Sequence, residues 1–232
     1  GIEHMLCVSI NLEKYPGMLD KVRAYPNISV SAGMHPMADE SDVFTVDYLS
    51  ALAKDEKVVA IGETGLDYYY HKGDTQWQLQ RFRSHVQVAN EVGKPVIIHT
   101  RDAGDDTLMV LREENAEKCG GVIHCFTETQ EFAERAMELG FMISISGIVT
   151  FRNADSLRAI AKTIPDDRLL IETDSPYLAP VPYRGKQNQP AYVNKVAETL
   201  AEIRATDIEH IAEITRENYY RLFGHAEAAM TC

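Results

Sequence analysis

The 232-residue sequence has few cysteines, no long apolar run and a deficit of basic residues. Its four cysteines, Cys7, Cys119, Cys125 and Cys232, show no CxxC spacing, which removes a zinc-ribbon or disulfide-framework reading. No apolar run is long enough to span a bilayer, and no secretory signal is recognisable, so we expect reduced thiols in a cytoplasmic protein without a membrane partner. Cys125 beside His124 suggests a nucleophile, but a half-buried strand cysteine is the favoured reading. No G-x-G-x-x-G or G-x-x-x-x-G-K-[ST] follows any candidate strand, which argues against a nucleotide-binding open sheet. A formal net charge of −12 argues against a broad basic groove tracking nucleic acid, while leaving room for a phosphate gripped locally.

What is present is an alternation of short β-rich runs and helical stretches. Strands are expected at 5–10, 28–33, 58–62, 95–99, 121–126, 141–147 and 169–173, and their near-continuous Val/Ile/Leu content suits parallel strands covered on both faces. Leu79, Phe82, Val86 and Ala89 make one helical stripe, stopped by Gly93-Lys94-Pro95. Phe132, Ala136 and Leu139 make another before Gly140. Thr206 and Glu209 have the spacing of a capping box opening the last helix, which stops near Gly224. No linker or low-complexity segment divides the chain, so residues 1–232 are expected to form a single α/β domain.

The polar residues favour a closed barrel over an open sheet. Glu63, His99, His124 and Asp174 each stand at the C-terminal end of an apolar run, and in a barrel those ends share one mouth. Each alone has a structural explanation: a core histidine, a turn aspartate, a Glu63–Arg101 ion pair. Together they make a nitrogen and oxygen donor set suited to Zn²⁺, Mn²⁺ or Mg²⁺. A cation also offsets the cost of burying Glu63. His35, in SAGMHP, has three readings: ligand, donor to a substrate phosphate, or a ring held by Pro36. Substrate contact is favoured. Arg101 and Arg184, with Lys186 nearby, are candidates for holding anionic oxygens. Asp67 and Glu172 are candidates for orienting histidines. His71, His85, His210 and His225 receive no function.

Seven segments in order resemble the TatD-type metal-dependent deoxyribonucleases, a branch of the amidohydrolase-like barrels. They are GMHP (33–36), IGETGLDYYY (61–70), PVIIHTRDA (95–103), GVIHCFT (121–127), SISGIVTFRNA (144–154), ETDSPYLAP (172–180) and RGKQNQPAYV (184–193). The resemblance implies a (β/α)8 TIM-like barrel and a divalent-metal site that hydrolyses phosphodiester bonds, typically at DNA ends or in short oligonucleotides. It maps a bridging metal ligand onto Glu63, metal-binding imidazoles onto His99 and His124, and a metal-linked catalytic carboxylate onto Asp174. His35 and Arg184 match positions near the substrate phosphate. The family's opening His-x-His has no counterpart in this chain, and MLCVSI resembles the second strand of the family. We therefore expect the first β/α unit to be absent, a gap between the first and last strands, and one metal or none in place of two. A monomer is the expected state. Two other functions fit the same features: hydrolysis of a small amide, lactone or ester on this barrel, and a non-catalytic binding or scaffold role.

Overall fold

The computed structural model describes residues 1–71 and 73–224; His225 and Cys232 lie outside the described residues. All seven expected strands form. They are β1 (Met5–Cys7), β2 (Ile28–Ala32), β3 (Val58–Asp67), β4 (Val96–Arg101), β5 (Gly121–Ile123), β6 (Met142–Ile145) and β7 (Leu169–Ile171). They pair in parallel and in chain order, so each connection must carry the chain back along the sheet, and helices do this. Those helices are α1 (Tyr15–Val22), α2 (Val46–Leu52), α3 (Gln76–Val92), α4 (Gly104–Glu113), α5 (Gln130–Glu138) and α6 (Asp155–Thr163), with α7 (Val193–Arg204) and α8 (Ile208–Leu222) closing the chain. Among the described residues no helix is long and apolar enough to cross a membrane.

Side chains along the strands alternate between two apolar cores. Val96 and Ile98, Ile123, Ile143 and Leu169 join the large core beneath the helices. Their neighbours Ile97, Val122, Met142 and Leu170 meet one another, with Leu6 and Val8 packed against them, in a second core. Strands at both ends of the sheet sharing one inner cluster means that the sheet curls into a barrel wall.

Among the described residues, the strands β1 and β7 each pair on one side only. Helix α8 lies across this seam. Asn218 Nδ2 donates to the Leu169 carbonyl at 2.7 Å, satisfying an edge group of β7. On the other side the Tyr219 ring lies 5.3 Å from that of His4, and Arg216 Nε donates to Glu3 Oε2 at 3.0 Å. Phe223, just past α8, enters the inner core.

Three sequence expectations are corrected. The strand expected to end at Gly62 continues to Asp67, through a register shift against β4: Ile61 pairs with Val96, and Thr64 pairs with Ile98. Three residues of β3 thus oppose two of β4, a bulge. Gly62 makes it feasible, with φ +137° and a position where an added Cβ would lie 2.7 Å from the Ile97 carbonyl oxygen. The last helix is capped by Asp207, which accepts from His210 N at 2.7 Å, one residue beyond the expected Thr206 box. Cys125 lies beyond β5 with φ +44°, so it is not a strand residue.

Candidate metal centre

The bulge decides where Glu63 points. Ile61 faces the helices with Val96 and Ile98. Simple alternation would send Glu63 the same way. The extra residue at Gly62 resets the parity, and Glu63 joins the inward side chains of β4 and β5 instead. His99 stands two residues beyond Ile97, His124 two beyond Val122, and Glu172 two beyond Leu170. The period of two therefore stacks an ionisable layer on the apolar inner core.

Glu63 is 6% exposed, and one of its oxygens meets three rings. Oε1 lies 2.9 Å from His124 Nε2, 3.2 Å from His99 Nδ1 and 3.3 Å from His35 Nε2. The far nitrogens are tied down. His99 Nε2 meets Asp67 Oδ2 at 3.1 Å, and His124 Nδ1 meets Glu172 Oε1 at 3.0 Å. A carboxylate there accepts an N–H, which leaves His99 Nδ1 and His124 Nε2 with lone pairs aimed at Glu63. Two lone pairs and a carboxylate oxygen at these distances need positive charge between them. Protons on the two rings meet this need where no cation does. Burial opposes charge on both rings, yet bonds from Asp67 and Glu63 raise the His99 pKa, and the charges of Glu63 and Glu172 hold that of His124 well above its ordinary value. Burial likewise pushes the Glu63 carboxyl up, but His124 and the three ring contacts hold it well below the usual range.

His35 differs. The Met37 N–H donates to its Nδ1 at 3.0 Å, so the neutral ring carries its proton on Nε2 and presents a donor to the centre. Of the three readings of His35, donor to an anion fits this tautomer and ligand does not.

Two triads have donor atoms all within 4.8 Å of one another: His35, Glu63 and His99, and His124, Glu172 and Asp174. Asp174 adopts φ +57°, three residues past β7. Burial pushes its carboxyl up to about 6, with the charges of Glu172 and Glu63 adding and His124 opposing. The loop bearing it is pinned by Asn188, whose Nδ2 donates to the Thr173 carbonyl at 2.7 Å and the Tyr177 carbonyl at 2.6 Å. Beside the centre, burial drives the Cys125 thiol up to about 12, which removes it as a nucleophile near neutral pH.

The arginines stand apart from the cluster. Arg101, ending β4, lies over the ring of Tyr69 at 3.9 Å and near that of Tyr70. Arg184 lies 3.7 Å over Phe151 and donates to the Ala179 carbonyl, while Lys186 is exposed on the same loop. No Glu63–Arg101 pair forms among the described residues.

Sequence reading missed a buried polar stripe on α3. Gln78 Oε1 accepts from Asp67 N at 2.9 Å. Arg81 donates to the carbonyls of Ala38, Asp39 and Asp42. His85 Nε2 accepts from Met34 N at 3.0 Å, and its Nδ1 donates to the Arg81 carbonyl at 2.8 Å. These residues fix the loop that carries His35 and the end of β3. Their signal was the helical spacing 78, 81, 85.

Residues 1–224 match the family model for TatD-related DNases. The chain is 51% identical over 228 residues to an uncharacterised metal-dependent hydrolase, YcfH, of Escherichia coli (strain K12), covering 98% of this chain and 85% of that one. It is 33% identical over 229 residues to a protein of Salmonella typhimurium named 3′-5′ ssDNA/RNA exonuclease TatD, covering 96% of this chain and 88% of that one. Among solved structures, the TatD homologue YJJV of Escherichia coli k12 superposes with a TM-score of 0.90 at 27% identity, over 97% of this chain and 87% of that one. The chain belongs to the TatD-related DNase family of metal-dependent hydrolases.

Proposed function

We propose that this protein hydrolyses phosphodiester bonds at the ends of DNA or of short oligonucleotides, in the cytoplasm, at a centre held by Glu63, His99 and His124. The observation that carries the reading is the convergence of the His99 and His124 nitrogens on Glu63 Oε1 within 3.2 Å, each ring backed by a carboxylate. This mixed donor set fits Zn²⁺, Mn²⁺ or Mg²⁺. Glu63, His99 and His124 would hold a divalent ion, which would supply polarisation of a phosphoryl oxygen and a more acidic water.

The remaining chemistry belongs to the chain. Asp174, with a pKa of about 6, is ionised at neutral pH and takes the proton of the attacking water. The His35 Nε2–H donates to a phosphoryl oxygen as its charge grows. Asp67 and Glu172 keep His99 and His124 in the tautomers that leave their ligating nitrogens bare. Arg101, Arg184 and Lys186 supply local positive charge on a chain whose net charge is −12, which suits capture of an end over clamping of a long duplex. The Salmonella relative's name, an exonuclease of single-stranded DNA and RNA, supports the phosphodiester over an amide or lactone.

The test is hydrolysis of end-labelled DNA across a series of divalent metals, against amide and lactone substrates. The reading expects shortening from an end that EDTA abolishes and added metal restores. Turnover of an amide or lactone with intact DNA would replace it with the small-substrate alternative.

A further inference from the structure

Beyond β3 the chain presents two large aromatic rings to solvent. Tyr69 is 47% exposed and Tyr70 62%. They meet edge to face, with centroids 4.8 Å apart. The Arg101 guanidinium lies 3.9 Å from the centroid of Tyr69 and 4.9 Å from that of Tyr70. Exposed aromatic surface gathered at the rim of a polar centre marks a contact site, and a guanidinium against such rings adds a cation–π attraction.

The turn that carries the pair is also fixed, and by the same group that orients the centre. Asp67, 1% exposed, accepts from the Tyr69 and Tyr70 N–H groups through Oδ1, at 3.0 and 3.1 Å. Its Oδ2 meets His99 Nε2. One buried carboxylate thus fixes both the ring that faces Glu63 and the turn that carries the tyrosines. Tyr68 tightens that turn further, with its N–H on the Arg101 carbonyl and its hydroxyl on Asp106 Oδ2. A preorganised ligand surface of this kind loses little entropy on binding.

A flat aromatic group joined to an anion matches two tyrosine rings with an arginine beside them. We propose that Tyr69, Tyr70 and Arg101 form a base-stacking subsite for the unpaired nucleobase adjoining the phosphate at the Glu63 centre. This rests on the phosphodiesterase reading given above. Stacking on aromatic rings tolerates any base, because every base has a π-face, so the subsite selects an unpaired end and not a sequence.

The test compares two trinucleotides in the metal that best supports hydrolysis, one complete and one abasic at its cleaved end. The wild type should prefer the complete substrate. Tyr70→Leu should lower kcat/KM for it by about 5- to 30-fold, the lower part of the range for losing one stacked base, and leave the abasic substrate unchanged. Tyr70→Trp should keep the preference. A 2-aminopurine at the same position should be quenched on binding to wild type and less so with Tyr70→Leu. Equal rates for the two substrates in the wild type, or equal losses on both in Tyr70→Leu, would overturn the subsite and leave the phosphodiesterase reading standing. Failure of the wild type to cleave either one would overturn that reading and the subsite with it.

Discussion

The same strands build two unlike layers, one above the other. Near their starts Val59, Ile97, Val122, Met142 and Leu170 face inward and form an apolar layer that Phe223 covers. Two residues further along β4, just past the ends of β5 and β7, and four further along β3 across two register shifts, the inward positions are His99, His124, Glu172 and Glu63. On β4 the alternation runs unbroken and only the side chains differ, whereas on β3 the bulge at Gly62 also re-aims the backbone. The lower layer removes carbon from water and asks for nothing else. The upper layer buries ionisable groups, which is unfavourable unless each finds a partner, and each does. The lower layer holds the barrel together, and the upper one spends part of that stability on chemistry.

Substitutions in the two layers should therefore separate activity from stability. The largest effect is expected at Asp174→Asn. Asparagine tolerates the left-handed backbone at φ +57°, so the loop survives while the base is lost. Hydrolysis should fall by about 10²-fold or more while the unfolding midpoint rises, because burial that holds the carboxyl up to about 6 makes its charge costly at neutral pH. Single-turnover kinetics and urea denaturation will report both. A near-normal rate at saturating metal would remove Asp174 from the chemistry. In the lower layer, Phe223→Ala should destabilise by about 3 kcal/mol and leave kcat of the folded fraction unchanged.

His85 offers a sharper comparison, since it is ionisable yet serves structure. Burial lowers its pKa from 6.5 to about 4. The neutral ring therefore contributes its full stability above pH 6.5, and that contribution drains away as pH falls from 6.5 toward 4, about 3 kcal/mol in all. In urea denaturation, His85→Gln should be flatter than wild type over this interval and parallel to it above. The smallest effect is expected at Glu172→Gln, which weakens the hold on His124 Nδ1. Metal affinity should drop by about 10- to 100-fold by calorimetry.

The apolar layer was easy to read in the sequence, because burial on both faces writes Val and Ile without a break. The ionisable layer was readable too, as metal-competent residues ending those runs. Harder to see was how Glu63 reaches the mouth. Ending the strand at Gly62 missed the bulge, since a bulge is a register difference between two strands and leaves only a glycine in the sequence. The α3 residues Gln78, Arg81 and His85 stayed hidden because a polar stripe on a helix looks the same whether it faces water or loop carbonyls. Asn188 was silent for a similar reason: it acts on carbonyls 11 and 15 residues earlier, a distance no local pattern records. Asp207 displaced Thr206 as the cap because both are good caps in adjacent positions, and only the backbone decides between them.

The central claim is that Glu63, turned inward by the bulge, joins His99 and His124 around a divalent ion. Calorimetric titration of the wild type and Glu63→Gln with Mn²⁺ at neutral pH, in buffers of different ionisation enthalpy, tests it directly. The wild type should bind the ion and release protons as His99 and His124 give them up. Glu63→Gln should bind at least about ten-fold more weakly while keeping its fold. Equal affinity in the two proteins, or binding without proton release, would contradict the account.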